Sequence, residues 1–171
     1  MDDEEAPRLF TGRLELVAAT AELTRAAAES APALAKALAC ELGKGWPPAG
    51  RAQWASKWSA LGGWGEWFIV QVKPALLVGS IGLSGRPDGA GWVELDWAML
   101  PAYERKGYAT EAMGGLIDWA FSHAEVRRIR AHAPRHAAAA IRVLERNGLS
   151  HVGDGDEPGA LRFELARPSD D

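Results

Sequence analysis

Residues Leu100 to Met113 read LPAYERKGYATEAM, and the reading of this stretch decides the fold. A strand-like run ends near Leu100 and a proline-led turn follows it. Six small or basic residues, Arg105-Lys106-Gly107-Tyr108-Ala109-Thr110, then lead into a helical pattern. Ala109, Ala112, Met113, Leu116, Ile117, Ala120 and Phe121 form one apolar stripe at helical spacing. The first turn of such a helix carries backbone N–H groups with no intrahelical acceptor. Together with the positive end of the helix dipole, these donors suit an anion. Gly107 lets a ligand approach the backbone closely, and Arg105 and Lys106 add positive charge. Neither G-x-G-x-x-G nor G-x-x-x-x-G-K-[ST] occurs here, so neither phosphate-binding signature accounts for the loop. Taken alone, the six residues also describe an ordinary surface helix that starts with basic residues.

Working outward, the flanking segments alternate between strand and helix. Arg13 to Val17 (RLELV) reads as a first strand, and Ala21 to Leu42 as two short helices, the second starting at Pro32. GWPPAG (Gly45 to Gly50) is a turn, followed by a helix with Trp54 and Trp58 on one face. Trp67 to Val72 and Leu76 to Gly85 read as strands joined through Lys73-Pro74. RPDGAG (Arg86 to Gly91) turns into a fourth strand, Trp92 to Leu100. After the central helix come a strand at Arg127 to Ala133 and a helix at Ala137 to Gly148 with a glycine cap. Short strands at Leu149 to Val152 and Ala160 to Leu165 complete the pattern. The expectation is a mixed α/β protein, a twisted sheet with helices on both faces.

Composition narrows the functional classes. A chain of 171 residues fits one domain, expected over residues 9–166 with loose tails at 1–8 and 167–171. The net charge of −4 disfavours a general nucleic-acid binder, though a local basic patch can still take a small anion. No apolar run approaches the roughly 20 residues of a membrane span, and the acidic start does not resemble a secretory leader. Cys40 is the single cysteine, which excludes an intrachain disulfide framework and points to a cytoplasmic setting. Cys40 itself reads as a packing residue. No His/Cys/Asp spacing suggests a metal site.

The run VELDWAMLPAYERKGYATEAMGGLIDWAF, Val93 to Phe121, closely resembles the cofactor-binding strand–loop–helix of GNAT acetyltransferases. Lys106 to Ala112 follow the family form G-[K/R]-G-Y-A-T-E-A, with Arg105 in place of its first glycine. LFTGRLELVAATAEL (Leu9 to Leu23), LLVGSIGLSG and IRVLERNGL (Ile141 to Leu149) resemble the branch containing ribosomal-protein alanine N-acetyltransferases. The resemblance covers roughly residues 9 to 165. It implies a splayed GNAT-type sheet, acetyl-CoA as donor, and an amine on a peptide N-terminus or small molecule as acceptor. It also implies backbone contacts from Met99 and Leu100 to the pantetheine arm. Amides from Arg105 to Thr110, including those of Lys106, Gly107, Tyr108 and Ala109, would hold the pyrophosphate. Arg142 either reaches the ribose phosphate or is a surface charge, and so does Arg146. Tyr108 packs against the cofactor or against the sheet. Dimerisation is common in the family.

Direct transfer to an amine requires its proton to be removed and the thiolate to be protonated. On the fourth strand Glu94 and Asp96 share the face opposite Val93, Leu95, Trp97 and Met99. The two carboxylates are candidates to attract an ammonium group and relay its proton through water. Alternatively they face solvent or pair with arginines. Members of this branch often carry N-x-x-S before the R-V-L-E-K-x-G helix, and here Ala137 and Ala140 occupy those two places. That departure keeps open a second reading, a catalytically weak module that binds acyl-CoA. His136 stands beside it as a substitute proton carrier or a solvated residue, His132 reads as structural, and His123 and His151 are isolated. Five tryptophans between Trp46 and Trp67 either wall an acceptor cleft or pack a helix on the sheet.

Overall fold

The computed structural model describes residues 7–51 and 61–169. Among the described residues nine strands form one mixed sheet: β1 (Arg8–Phe10), β2 (Leu14–Ala18), β3 (Glu41–Leu42), β4 (Glu66–Gln71), β5 (Leu76–Leu83), β6 (Trp92–Met99), β7 (Arg128–Pro134), β8 (Ser150–Asp154) and β9 (Ala160–Ala166). Their order across the sheet is β1-β2-β4-β5-β6-β7-β9-β8, with β3 laid parallel on β5. Four described helices cover it: α1 (Ala21–Glu29), α2 (Ala31–Leu38), α3 (Tyr108–Phe121) and α4 (Ala138–Arg146). Among the described residues no helix is long and apolar enough to cross a membrane.

Strand alternation sorts the core into two layers. Leu14, Leu16, Ile69, Ile81, Val93 and Leu95 point one way and meet Ala112, Met113, Leu116 and Ala120 of α3. Val17, Phe68 and Val70 point the other way and meet Leu23 of α1 and Leu34 of α2. The apolar stripe foreseen for α3 therefore fills one layer. The opposite face of β6, bearing Glu94 and Asp96, belongs to the α1/α2 side.

The sheet opens at its middle. β6 pairs with β5 from Leu95 to Met99, but with β7 only over Trp92, Val93 and Glu94, opposite Arg128, Ile129 and Arg130. β7 meanwhile stays zipped to β9 along its whole length, from Arg128 to Pro134. Beyond Glu94 the two central parallel strands thus diverge, leaving a V-shaped gap whose vertex lies at that residue. Gly79 lets β5 sit close beneath the open limb of β6, since a Cβ there would lie 2.6 Å from Met99 Sδ.

Several local expectations shift. Arg8, placed in a loose tail, starts β1, which pairs with β2. The second helix ends at Leu38, not Leu42. Ala39 adopts a left-handed conformation (φ 56°), and Glu41–Leu42 join β5 instead. This is tertiary pairing overriding the helix preference of an alanine-rich run. The helix expected to carry Trp54 and Trp58 lies outside the described residues.

Candidate functional site

The loop before α3 has the form an anion site requires. Gly107 sits at the helix N-cap in the left-handed region (φ 81°), and among the described residues no side chain caps the helix. The first intrahelical bond is Glu111 N–H to Gly107 O at 3.0 Å, and among the described residues no carbonyl accepts from the amides of Arg105 through Thr110. Arg105 is itself left-handed (φ 65°), so two of three successive residues turn the chain tightly. The side chains of Arg105 and Lys106 are exposed beside these donors. Tyr108 packs against the sheet: its ring is buried and its hydroxyl donates to Gln71 Oε1 at 2.8 Å, while its backbone amide lies in the loop.

A knot of side chains supports this loop from beneath, and the sequence did not reveal it. Arg13 Nη1 donates to Lys106 O at 2.8 Å, its Nε to Glu111 Oε1 at 2.8 Å, and its guanidinium lies 4.6 Å over the Tyr108 ring. Glu111 also accepts from the Arg13 amide at 2.8 Å and from the Thr11 hydroxyl. Partial burial acts to raise the Glu111 carboxyl. The bonds from Thr11 and Arg13 outweigh it and hold the carboxyl below the ordinary range. The only signal available beforehand was an arginine and an acid, widely separated, each beside a predicted element end.

At the vertex of the V the acidic face of β6 is engaged rather than bare. Glu94 Oε1 meets His132 Nδ1 at 2.9 Å, and Arg130 Nε lies 3.9 Å from Glu94 Oε2. His132 Nε2 is buried without a hydrogen-bond partner among the described residues, 3.9 Å from Asp156 Oδ2. His132, read from sequence as structural, is therefore the immediate neighbour of the candidate acid–base group. Asp96 reaches Arg51, with Oδ2 3.4 Å from Nη1. Partial burial raises the Asp96 carboxyl, against the pull of Arg51, although about half its side chain meets solvent (52%). Arg51 is itself buried and pairs with Glu66 at 2.8 Å and Ser80 Oγ at 2.5 Å. Burial pushes the Glu66 carboxyl up to about 7 despite that pairing.

The remaining candidates separate. Leu100 is committed on both sides: its N–H donates to Val78 O at 2.9 Å and its carbonyl accepts from Tyr103 N–H at 2.9 Å. Because ladder bonds alternate, Met99 turns its backbone groups toward the gap beside β7. Arg142 and His136 are exposed. Ala137 forms the N-cap of α4 without a side-chain bond. Ala140 packs partly into the core. Trp64 and Trp67 are buried with Trp119 on the α3 side, centroids 4.8 and 5.4 Å away, opposite the carboxylates. They pack; they do not wall the acidic face. Cys40 is half-buried, which raises its thiol, as suits a packing residue.

The fold has known counterparts. The family model described as an acetyltransferase (GNAT) domain matches residues 13–150. An uncharacterised N-acetyltransferase of Bacillus subtilis (strain 168), YjdG, is 36% identical over 87 residues. That match takes in 51% of this chain and 52% of the relative, so the chain spans about half the length of this curated relative. Ribosomal-protein-S5-alanine acetyltransferase from Vibrio fischeri superposes with a TM-score of 0.66 at 15% identity, covering 94% of this chain and 96% of that one. Spermidine N-acetyltransferase from Vibrio cholerae, solved with CoA and spermine, gives 0.54 at 16% identity over 60% of this chain and 64% of that one. At these identities the solved structures speak for the fold. With four-fifths of its length matched by the family model and the splayed mixed sheet in place, the chain belongs to the GNAT acetyltransferase family.

Proposed function

We propose that this chain is an acetyl-CoA-dependent N-acetyltransferase that transfers acetyl directly to a primary amine while donor and acceptor are bound together. The observation that carries the reading is the uncapped start of α3, just after the open limb of β6, where among the described residues no carbonyl accepts from the amides of Arg105 through Thr110. Free N–H groups at a helix start, with the positive end of the helix dipole behind them, form a ready site for an anion. A diphosphate fits there, and Arg105 and Lys106 supply charge. The backbone of Met99, on the open limb of β6, would hold the pantetheine arm. Bound acetyl-CoA supplies an activated acyl thioester.

The chain's own groups account for the rest. Glu94 at the vertex accepts the amine's proton, directly or through one water, and His132 fixes the carboxylate's orientation. Asp96, held by Arg51 and half open to solvent, attracts an ammonium acceptor to the same face. The gap itself brings the two reactants together, an effect on the order of 7–11 kcal/mol in well-aligned cases. That contribution does not depend on the side chains missing at Ala137 and Ala140. The acceptor belongs to the class of peptide N-termini or small amines, and a cytoplasmic setting suits the lone half-buried thiol.

Release of free thiol from acetyl-CoA, measured against a panel of polyamines, amino acids and N-terminal peptides, tests this. Acceptor-dependent release is the expected result. CoA binding with no release across the panel would instead identify a binding module, and neither binding nor release would remove the assignment.

A further inference from the structure

We infer that Arg13, on the turn between β1 and β2, is the residue that holds the diphosphate loop in its binding shape. The inference rests on the functional reading above and adds a positioning residue to it. Two backbone units in the loop are left-handed, Arg105 (φ 65°) and Gly107 (φ 81°), and the first bears a Cβ that disfavours this conformation. The peptide between Lys106 and Gly107 lies within that turn. Arg13 Nη1 takes the Lys106 carbonyl at 2.8 Å. In a trans peptide the carbonyl and the following N–H point in opposite directions. Anchoring the carbonyl on Arg13 therefore turns the Gly107 N–H away from the protein side of the loop.

Three further contacts fix the guanidinium in this place. Its Nε is paired with Glu111 Oε1 at 2.8 Å, its plane covers the buried Tyr108 ring, and the Arg13 amide is bonded to Glu111 Oε2 at 2.8 Å. The Arg13 carbonyl in turn accepts from Val72 N–H at 3.1 Å, so the turn is tied to the end of β4. A carboxylate in the first helical turn competes with an anionic ligand for the same dipole. Arg13 turns Glu111 toward itself and neutralises it. Since that charge is already met by Glu111, the side chain acts through geometry: a planar fork that serves two acceptors at once, which an ammonium on a flexible stem does not reproduce.

The test compares wild type, Arg13→Ala and Arg13→Lys by calorimetric titration with CoA and by steady-state kinetics. Arg13→Ala is expected to weaken CoA binding and raise the acetyl-CoA KM about 10-fold or more, the scale of one lost charge-assisted bond. At saturating acetyl-CoA, kcat and the acceptor KM stay within about two-fold of wild type, a split that general destabilisation does not produce. Arg13→Lys behaves like Arg13→Ala, because charge alone does not restore the fork. Should Arg13→Ala fail to fold, the lysine variant decides. Wild-type CoA affinity in either variant overturns the clamp while leaving the functional reading intact. A wild-type protein that does not bind CoA removes both.

Discussion

Glu94 occupies the last paired position of β6 before the sheet opens, and this gives its carboxylate a setting that Asp96, two residues on, lacks. With Glu94 ionised, the proton of the 2.9 Å contact resides on His132 Nδ1, which leaves Nε2 facing Asp156 across 3.9 Å. Replacing Glu94 by Gln preserves shape but removes the proton acceptor. Thiol release should fall about 100-fold or more in kcat, the usual weight of a positioned base, with CoA affinity unchanged. A wild-type rate in Glu94→Gln would place the proton transfer elsewhere. Alternation along the strand was enough to put Glu94 and Asp96 on one face. What meets them was not legible, because His132 lies 38 positions from Glu94 and Arg51 lies 45 from Asp96. Contacts that long are decided by strand register, which a local pattern does not encode.

At the scale of elements, the decisive feature is how α3 begins. Its apolar stripe and Gly107 were readable because both are local: a period of 3.6 and one residue without a Cβ. β1 and β3, with three and two residues, are too short to show a period, and neighbouring strands specify them. The helix start yields a comparison. Gly107 and Gly148 share the same left-handed backbone, φ 81° and 86°. A Cβ at Gly107 would lie 3.2 Å from Arg13 Nη2, and one at Gly148 in ordinary contact with Leu165 at 3.6 Å. Gly107→Ala and Gly148→Ala should each cost roughly 1–2 kcal/mol in urea unfolding. Only Gly107→Ala should also weaken CoA binding; equal loss in both would mean that the loop has no special part in binding.

Across the whole molecule, the α1/α2 face of the sheet carries a buried polar group where a simple core would be apolar. Arg51, Glu66 and Ser80 are each 3% exposed or less, and the Arg51–Glu66 pair links the segment before residue 52 to β4 and, through Asp96, to β6. Burying such a pair costs desolvation that its attraction only partly repays. The sign of the pH effect follows from the raised Glu66 carboxyl, from 4.5 to about 7. Between those values the folded state keeps a proton that the unfolded state has released, so the stability associated with this group is full below 4.5 and is lost as pH rises through 7. Relative to Glu66→Gln, the wild type should lose on the order of 3 kcal/mol between pH 4.5 and 8 in denaturant titrations. A constant difference would show that Arg51 keeps Glu66 ionised throughout. None of this network was visible in the sequence, where a lone arginine beside a proline-rich turn and a glutamate before an aromatic strand carry no mutual signal. The mixed sheet with helices on both faces was legible, because it needs only the order and period of its elements. The position of the splay, after Glu94, required the strand pairing itself.

The central claim is that unsatisfied amides at the start of α3 receive the diphosphate of CoA. Amide hydrogen exchange with and without CoA tests it most directly. The account predicts that Gly107 through Thr110 become strongly protected on CoA addition, while amides at the far end of α3, near Phe121, change little. Protection confined to other parts of the chain, with that loop exchanging as fast as in the free protein, would contradict it.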